Sequence, residues 1–320
     1  MFNVVIIGAG PSGLSVAIEA KKRGLKYLVI EKGGIVSAIQ NFPAEMTFFS
    51  TPELLEIGNI PFTSAQMRPT RTEGLEYYAR VASYYALHCQ FFETVTSITH
   101  SGDSFVVKTT RSVYYAKNVV LATGYYDNPN LLNIPGEELS KVSHYYGEPY
   151  SYYRQHVLII GAKNSAAIAA LELFRHGAHV TLVHRGSMLS DKIKYWILPD
   201  LENRIKEGSI TAYFQTEVKE IRERNVLLKN ANGECEIEND FVFAMTGYHP
   251  DYDFLKACGI ELNPEDNSPK RNPDTLETNV QGLYVAGSIV AGKNNNSIFI
   301  ENGRLHGEII VQGILRTMSL

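Results

Sequence analysis

Along the chain, apolar residues gather in short β-branched runs that stop at glycine. Asn3-Val4-Val5-Ile6-Ile7-Gly8 reads as a buried parallel strand, since a strand covered on both faces shows a continuous apolar run instead of alternation. Residues 12–23 then read as a helix and Tyr27–Glu31 as a second strand, which makes a β-α-β unit of about 30 residues. The same pattern recurs at His156-Val157-Leu158-Ile159-Ile160-Gly161, at a helix over 164–176 and at a strand over 178–184. Two such units predict two nucleotide-binding domains.

The connecting stretches read differently. Residues 40–72 carry Pro43, Pro52, Pro61 and Pro69 and predict a loop-rich excursion with a short helix over 52–58. A helix is expected over 73–88. Residues 91–120 alternate like a small antiparallel meander that leads into a strand over 118–122, and 212–243 look like another meander. Residues 264–279 predict a loop and 283–286 a short strand. Lys293-Asn294-Asn295-Asn296 should form a loop before a helix running from about Ile300 to the end.

Composition narrows the class. A length of 320 residues suits about two domains. A hydrophobic fraction of 44% and a charged fraction of 20% are ordinary for a soluble globular protein. The net charge of −4 and pI of 6.2 imply no basic face, so nucleic acid is not expected as a partner. No signal peptide is read at the N-terminus and no apolar stretch approaches the length of a membrane span. A cytoplasmic protein with no membrane partner is the simplest expectation. Cys89, Cys235 and Cys258 form no C-x-x-C pair, so neither a metal site nor a local dithiol is predicted.

The glycine turns carry the chemistry. In Gly8-Ala9-Gly10-Pro11-Ser12-Gly13, Gly8 permits the tight turn, Gly10 leaves room for a pyrophosphate and Gly13 lets helix and strand approach. The helix start then offers free N–H groups to phosphate. Glu31, at the end of the second strand, suits a ribose diol. The second turn, Gly161-Ala162-Lys163-Asn164-Ser165-Ala166, is degenerate, with Lys163 in the middle glycine position and Ala166 in the last. Its second strand ends in His184-Arg185; an arginine there can bind a 2′-phosphate that a carboxylate would repel, which predicts NADPH over NADH. Strands ending at Leu121-Ala122-Thr123-Gly124, Met245-Thr246-Gly247 and Leu283-Tyr284-Val285-Ala286-Gly287-Ser288 are further places where backbone can approach a dinucleotide.

Together these motifs resemble the low-molecular-weight thioredoxin-reductase-like flavoproteins over essentially the whole chain. Thr47-Phe48-Phe49-Ser50-Thr51-Pro52-Glu53, Thr246-Gly247-Tyr248-His249-Pro250-Asp251 and Ile298-Phe299-Ile300-Glu301-Asn302-Gly303-Arg304 are similar to the bacillithiol-disulfide reductase subgroup. The resemblance implies an α/β fold of two Rossmann-like, three-layer ββα dinucleotide-binding domains, with an NADPH domain (121–247) inserted into a split FAD domain (1–120 and 248–320). It implies that the loop including Phe49 and Thr51 lies near the flavin. It places Ser288 where most relatives have a flavin-binding Asp, and adds Lys32, beside Glu31, to the cofactor-contacting set. Hydride would pass from NADPH to FAD and on to a small disulfide.

Two departures bear on the acceptor. Thioredoxin reductases carry C-x-x-C where this chain has Ser143-His144-Tyr145-Tyr146-Gly147. Subgroup members often have Cys in the first turn where this chain has Ser12, and a hydroxyl cannot enter thiol–disulfide exchange. Ser12 is expected to help hold FAD, and it is also a catalytic candidate. His144, His249 and His306 are candidates to protonate a leaving thiolate. Oxygen or a small redox protein as acceptor, and a non-catalytic nucleotide-binding redox sensor, remain open alternatives, as does a homo-oligomeric assembly.

Overall fold

The computed structural model describes residues 1–294 and 297–318. They fall into two units, one formed by Met1–Asn41, Glu45–Asn128 and Tyr248–Leu320, the other by Phe42–Ala44 and Pro129–Gly247. The boundary expected at 120/121 therefore moves to 128/129. The reason is strand pairing: Leu121 sits in register with Ile7 and Val285 of the first unit.

The first unit opens with β1 (Phe2–Ile7), α1 (Pro11–Lys22) and β2 (Tyr27–Ile30). Val4, Val5 and Ile6 are completely buried, as a two-sided central strand requires. A short helix α2 (Ser37–Gln40) precedes the excursion, and α3 (Pro52–Leu55) interrupts it. The next helix, α4 (Arg71–Tyr84), starts two residues earlier than the apolar pattern suggested, because Thr70 and Glu73 form a capping box. Then come β3 (Cys89–Gln90), β4 (Val95–Ser101), β5 (Ser104–Thr109) and β6 (Val113–Leu121). The meander is real but not separate. The start of β6 pairs antiparallel with β5, and its apolar end runs parallel to β1.

The second unit contains β7 (Val142–Ser143), β8 (His156–Ile160), α5 (Asn164–Arg175), β9 (His179–Val183), α6 (Leu198–Lys206) and β10 (Thr211–Tyr213). These are followed by β11 (Glu217–Ile221), β12 (Asn225–Asn230), β13 (Gly233–Glu238) and β14 (Phe241–Ala244). The parallel sheet has the order β10-β9-β8-β14-β7. Only β11–β13 form the antiparallel meander. The continuous apolar run Phe241-Val242-Phe243-Ala244 belongs inside the parallel sheet instead. Ala166, Ala167, Ala169 and Ala170 give α5 a small, buried face against this sheet. The meander covers the other face, through Val218, Ile221, Val226 and Leu228 on Leu158, Val183 and Val242.

The chain re-enters the first unit through α7 (Tyr252–Ala257) and β15 (Leu283–Val285), which pairs parallel with β6. One core joins Val5, Ile7, Leu28 and Ile30 of the parallel sheet to Ile98, Phe105 and Val107 of the meander. Both units are thus α/β folds of the Rossmann-like type. The single helix expected from Ile300 is two, α8 (Ile300–Gly303) and α9 (His306–Met318). At the break the turn tightens, with Leu305 N donating to the Asn302 carbonyl three residues back, and the Arg304 carbonyl accepts Ser15 Oγ at 2.5 Å. Asn295 and Asn296 of the expected preceding loop lie outside the described residues. No helix among the described residues is long and apolar enough to cross a membrane.

Candidate cofactor sites

In the first unit, Ile7, Leu121 and Val285 end three neighbouring parallel strands in register. Just beyond them stand Gly8, Ala122 with Thr123 and Gly124, and Gly287 with Ser288. Open α/β sheets bind ligands at this carboxyl edge.

The three glycines of the first turn are required for different reasons. Gly8 has φ +106°, and a Cβ there would lie 2.5 Å from the Ala122 carbonyl oxygen. A Cβ on Gly13 would run into the Gly8 carbonyl. A Cβ on Gly10 would meet nothing within 4 Å, so no protein packing demands glycine there and the space is open to a ligand. Gly10 is also the N-cap of α1, without a side-chain cap, with Pro11 in the first turn and no acidic residue there. The helix start therefore keeps its donors and partial positive charge.

Glu31 is buried, with Oε2 accepting from Ala9 N at 2.8 Å and Oε1 from Gly33 N at 2.8 Å and Ser37 Oγ at 3.0 Å. An ionised carboxylate offers about four acceptor positions. Glu31 thus braces the turn and retains capacity for a hydroxyl. Lys32 is engaged by Asp127 at 2.8 Å. Phe49 is on the surface, while its neighbour Phe48 is buried against Gly74. Thr51 stands at the N-cap position of α3 without a side-chain capping bond, and Ser50 donates to Glu301 of α8. Ser12 points between two glycines: a Cβ on Gly287 or Gly303 would lie 2.7 or 2.8 Å from its Oγ.

In the second unit the turn keeps its shape despite Lys163. Gly161 has φ +134°, and a Cβ there would lie 2.6 Å from the Met245 carbonyl oxygen. Ala166 is buried where close packing is needed. Lys163 is the N-cap of α5, with no side-chain cap and no acid in the first turn. Lys163, Ser165 and Arg185 are exposed. Burial, and then the Arg185 charge, pull the His184 imidazole below its ordinary pKa. Asn164 has a duty the sequence did not reveal. Its Nδ2 donates to the Lys192 carbonyl at 3.0 Å and its Oδ1 accepts from Lys194 N at 2.9 Å. That clamp holds the 192–194 segment at the helix start, a pairing separated by about thirty positions that no local pattern announces.

The histidine candidates have structural partners. His144 Nε2 lies 3.2 Å from Glu137, whose oxygens also accept from Leu132 N and Asn133 N at 2.6 and 2.7 Å. His249 Nδ1 is 2.7 Å from the Pro250 carbonyl, and its ring stacks on Tyr252. His306 is corrected outright. Burial and then the Arg271 charge push it down to about 4, and Nδ1 accepts from Gly287 N at 3.0 Å. A neutral ring committed as an acceptor is no proton donor at neutral pH. Among the described residues no group of acidic, histidine or cysteine side chains is arranged to hold a metal.

Comparison with known proteins matches residues 5–287 to the pyridine nucleotide-disulphide oxidoreductase family. The chain is 45% identical over 316 residues to bacilliredoxin reductase Bdr of Bacillus subtilis (strain 168), covering 98% of each chain. It superposes on the bacillithiol disulfide reductase Bdr of Bacillus cereus with a TM-score of 0.97, at 46% identity and 99% coverage of both chains. The Staphylococcus aureus counterpart gives 0.96 at 43% identity, covering 99% of this chain and 98% of the other.

Proposed function

The chain belongs to the pyridine nucleotide-disulphide oxidoreductase family, and from that premise we propose that it is an FAD-containing, NADPH-dependent reductase of a small disulfide of the bacillithiol type. The single observation that carries the reading is the full-length similarity to bacillithiol disulfide reductases. The geometry of each turn supports it independently.

The first unit suits FAD. Gly10 leaves open space before an uncapped helix start, Glu31 keeps acceptor capacity, and three strand ends bring backbone together. The second suits NADPH: the helix start of α5 lacks acids, and Arg185 is exposed at the end of β9. When bound, the cofactors supply the redox chemistry, so that one disulfide, one NADPH and one proton give two thiols and NADP⁺. The protein's part is to bind and orient. The α1 amides hold phosphate, Glu31 holds the ribose diol and keeps the turn closed, and Arg185 and Lys163 select the 2′-phosphate. Cytoplasmic residence belongs to the same proposal, since the cysteines are unpaired and cytosolic thiols stay reduced.

Anaerobic stopped-flow mixing tests the reading. NADPH should bleach the flavin faster than NADH does, and bacillithiol disulfide should restore the colour. A flavoprotein that NADPH fails to bleach would be a sensor and not a reductase. Ser12 favours one second reading, because it removes a thiol from the first turn. If the reduced protein ignores bacillithiol disulfide but is reoxidised by oxygen, ferredoxin or flavodoxin, that acceptor class replaces the disulfide.

A further inference from the structure

His306 is the first residue of α9, and it is buried. Its Nδ1 accepts the Gly287 amide proton at 3.0 Å, in a buried contact between residues 19 apart. Nδ1 therefore carries no proton, and the ring is the Nε2–H tautomer. Gly287 follows the last strand at φ +74° and presses on Ser12 of α1. The next residue is Ser288, whose Oγ would lie 4.0 Å from a Cβ on Gly124. The Gly287 peptide thus stands at the meeting point of the strand ends described above. An amide there that was free to turn would swing Ser288 with it.

The backbone on either side of His306 is held as well. Gly303 also packs on Ser12, Gly307 packs on Ser15, and Ser15 Oγ donates to the Arg304 carbonyl. The start of α9 is thereby pinned to the N-terminal turns of α1. From this arrangement we infer that His306 is a positioning residue for the flavin site: its Nδ1 lone pair sets the Gly287–Ser288 turn and so tightens binding of the flavin dinucleotide. This rests on the reading of the first unit as the FAD domain. The ring touches no reacting atom in this role. It acts through the backbone of Gly287, and it acts only while Nδ1 can accept.

Reconstitution of flavin-stripped protein with FAD, followed by fluorescence, tests this in the full chain. His306→Asn places an acceptor oxygen near the Nδ1 position and should keep the Kd for FAD within about threefold of the parent. His306→Leu leaves a buried N–H without an acceptor and should weaken FAD by about tenfold or more. Equal FAD affinity in His306→Leu, or equal weakening in both variants, overturns the inference. So does a loss of thermal stability in His306→Leu that is the same with and without FAD. If His306→Leu does not fold, the ¹⁵N shift of the native histidine decides. An accepting Nδ1 whose shift moves when FAD is removed supports the inference, and a protonated Nδ1 or a shift insensitive to FAD overturns it. Parent protein that binds no FAD at all refutes the flavin reading itself, a result distinct from any of these.

Discussion

At the scale of single residues, environment decides which titratable groups can react. Burial pushes the thiols of Cys89 and Cys258 up to about 11, while Cys235 is exposed on β13. A thiolate is the reacting species, so at neutral pH the two half-buried thiols should react slowly. Brief alkylation of the native protein near pH 7.5, read by mass spectrometry, should modify Cys235 alone, and alkylation after unfolding should modify all three. His306 gives a pH dependence of determinate sign. Its folded pKa, about 4, lies below its ordinary value of 6.5, so the unfolded chain binds the extra proton first. Its contribution is intact above about pH 6.5 and is lost as pH falls towards 4. The total is on the order of 3 kcal/mol. Urea melts at stepped pH should show this loss, and His306→Asn should show a flatter dependence across the same window.

At the scale of elements, the two glycine turns separate what packing needs from what a ligand needs. Gly13→Ala drives a methyl into the Gly8 carbonyl and should cost about 1–3 kcal/mol of apoprotein stability. Gly10→Ala meets nothing, and its φ of −71° suits alanine. It should leave the flavin-free melting temperature within a degree or so yet weaken FAD severalfold. Equal destabilisation by both would show that Gly10 serves packing after all. Asn164→Ala should release the 192–194 segment and raise KM for NADPH severalfold with little change in kcat, as steady-state kinetics would show. A matching fall in kcat would assign Asn164 a different part.

How much of this was legible depended on range. The β-α-β units could be read because strand, glycine turn and helix are contiguous and each has its own period. Gly8, Gly13 and Ala166 were legible because close approach leaves few residue choices. Long-range polar pairs were not: Asn164 with 192–194, Ser15 with Arg304 and Gly287 with His306 join residues far apart in sequence. The C-terminal helix was read as one because its apolar period continues through the break, where the turn tightens and Ser15 bonds the Arg304 carbonyl from far away in sequence. The strand over 118–122 was seen, but not that β6 would serve both a meander and a parallel sheet.

At the scale of the whole molecule, the 129–247 segment leaves and rejoins the first unit at adjacent points of the chain. His249 N donates to the Asn128 carbonyl at 2.9 Å, so the first unit closes on itself across the insertion. A chain in which a few glycines replace residues 129–247 should therefore fold and bind FAD, since short closures cost little entropy. It should be yellow and remain so on addition of NADPH under anaerobic conditions. A colourless, aggregated product would mean that the first unit depends on the second for its fold.

The contacts of Ser12 and Ser15 with Gly287, Gly303, Arg304 and Gly307 have a temporal consequence. On a ribosome, the turn at residues 8–13 emerges early, but the surfaces that brace it are made much later in synthesis. The nascent β-α-β unit can be shaped during elongation, yet its seat for a prosthetic group is finished only once the distal segment docks. Loading should then follow that docking, and a shortage of riboflavin would leave a docked, empty chain.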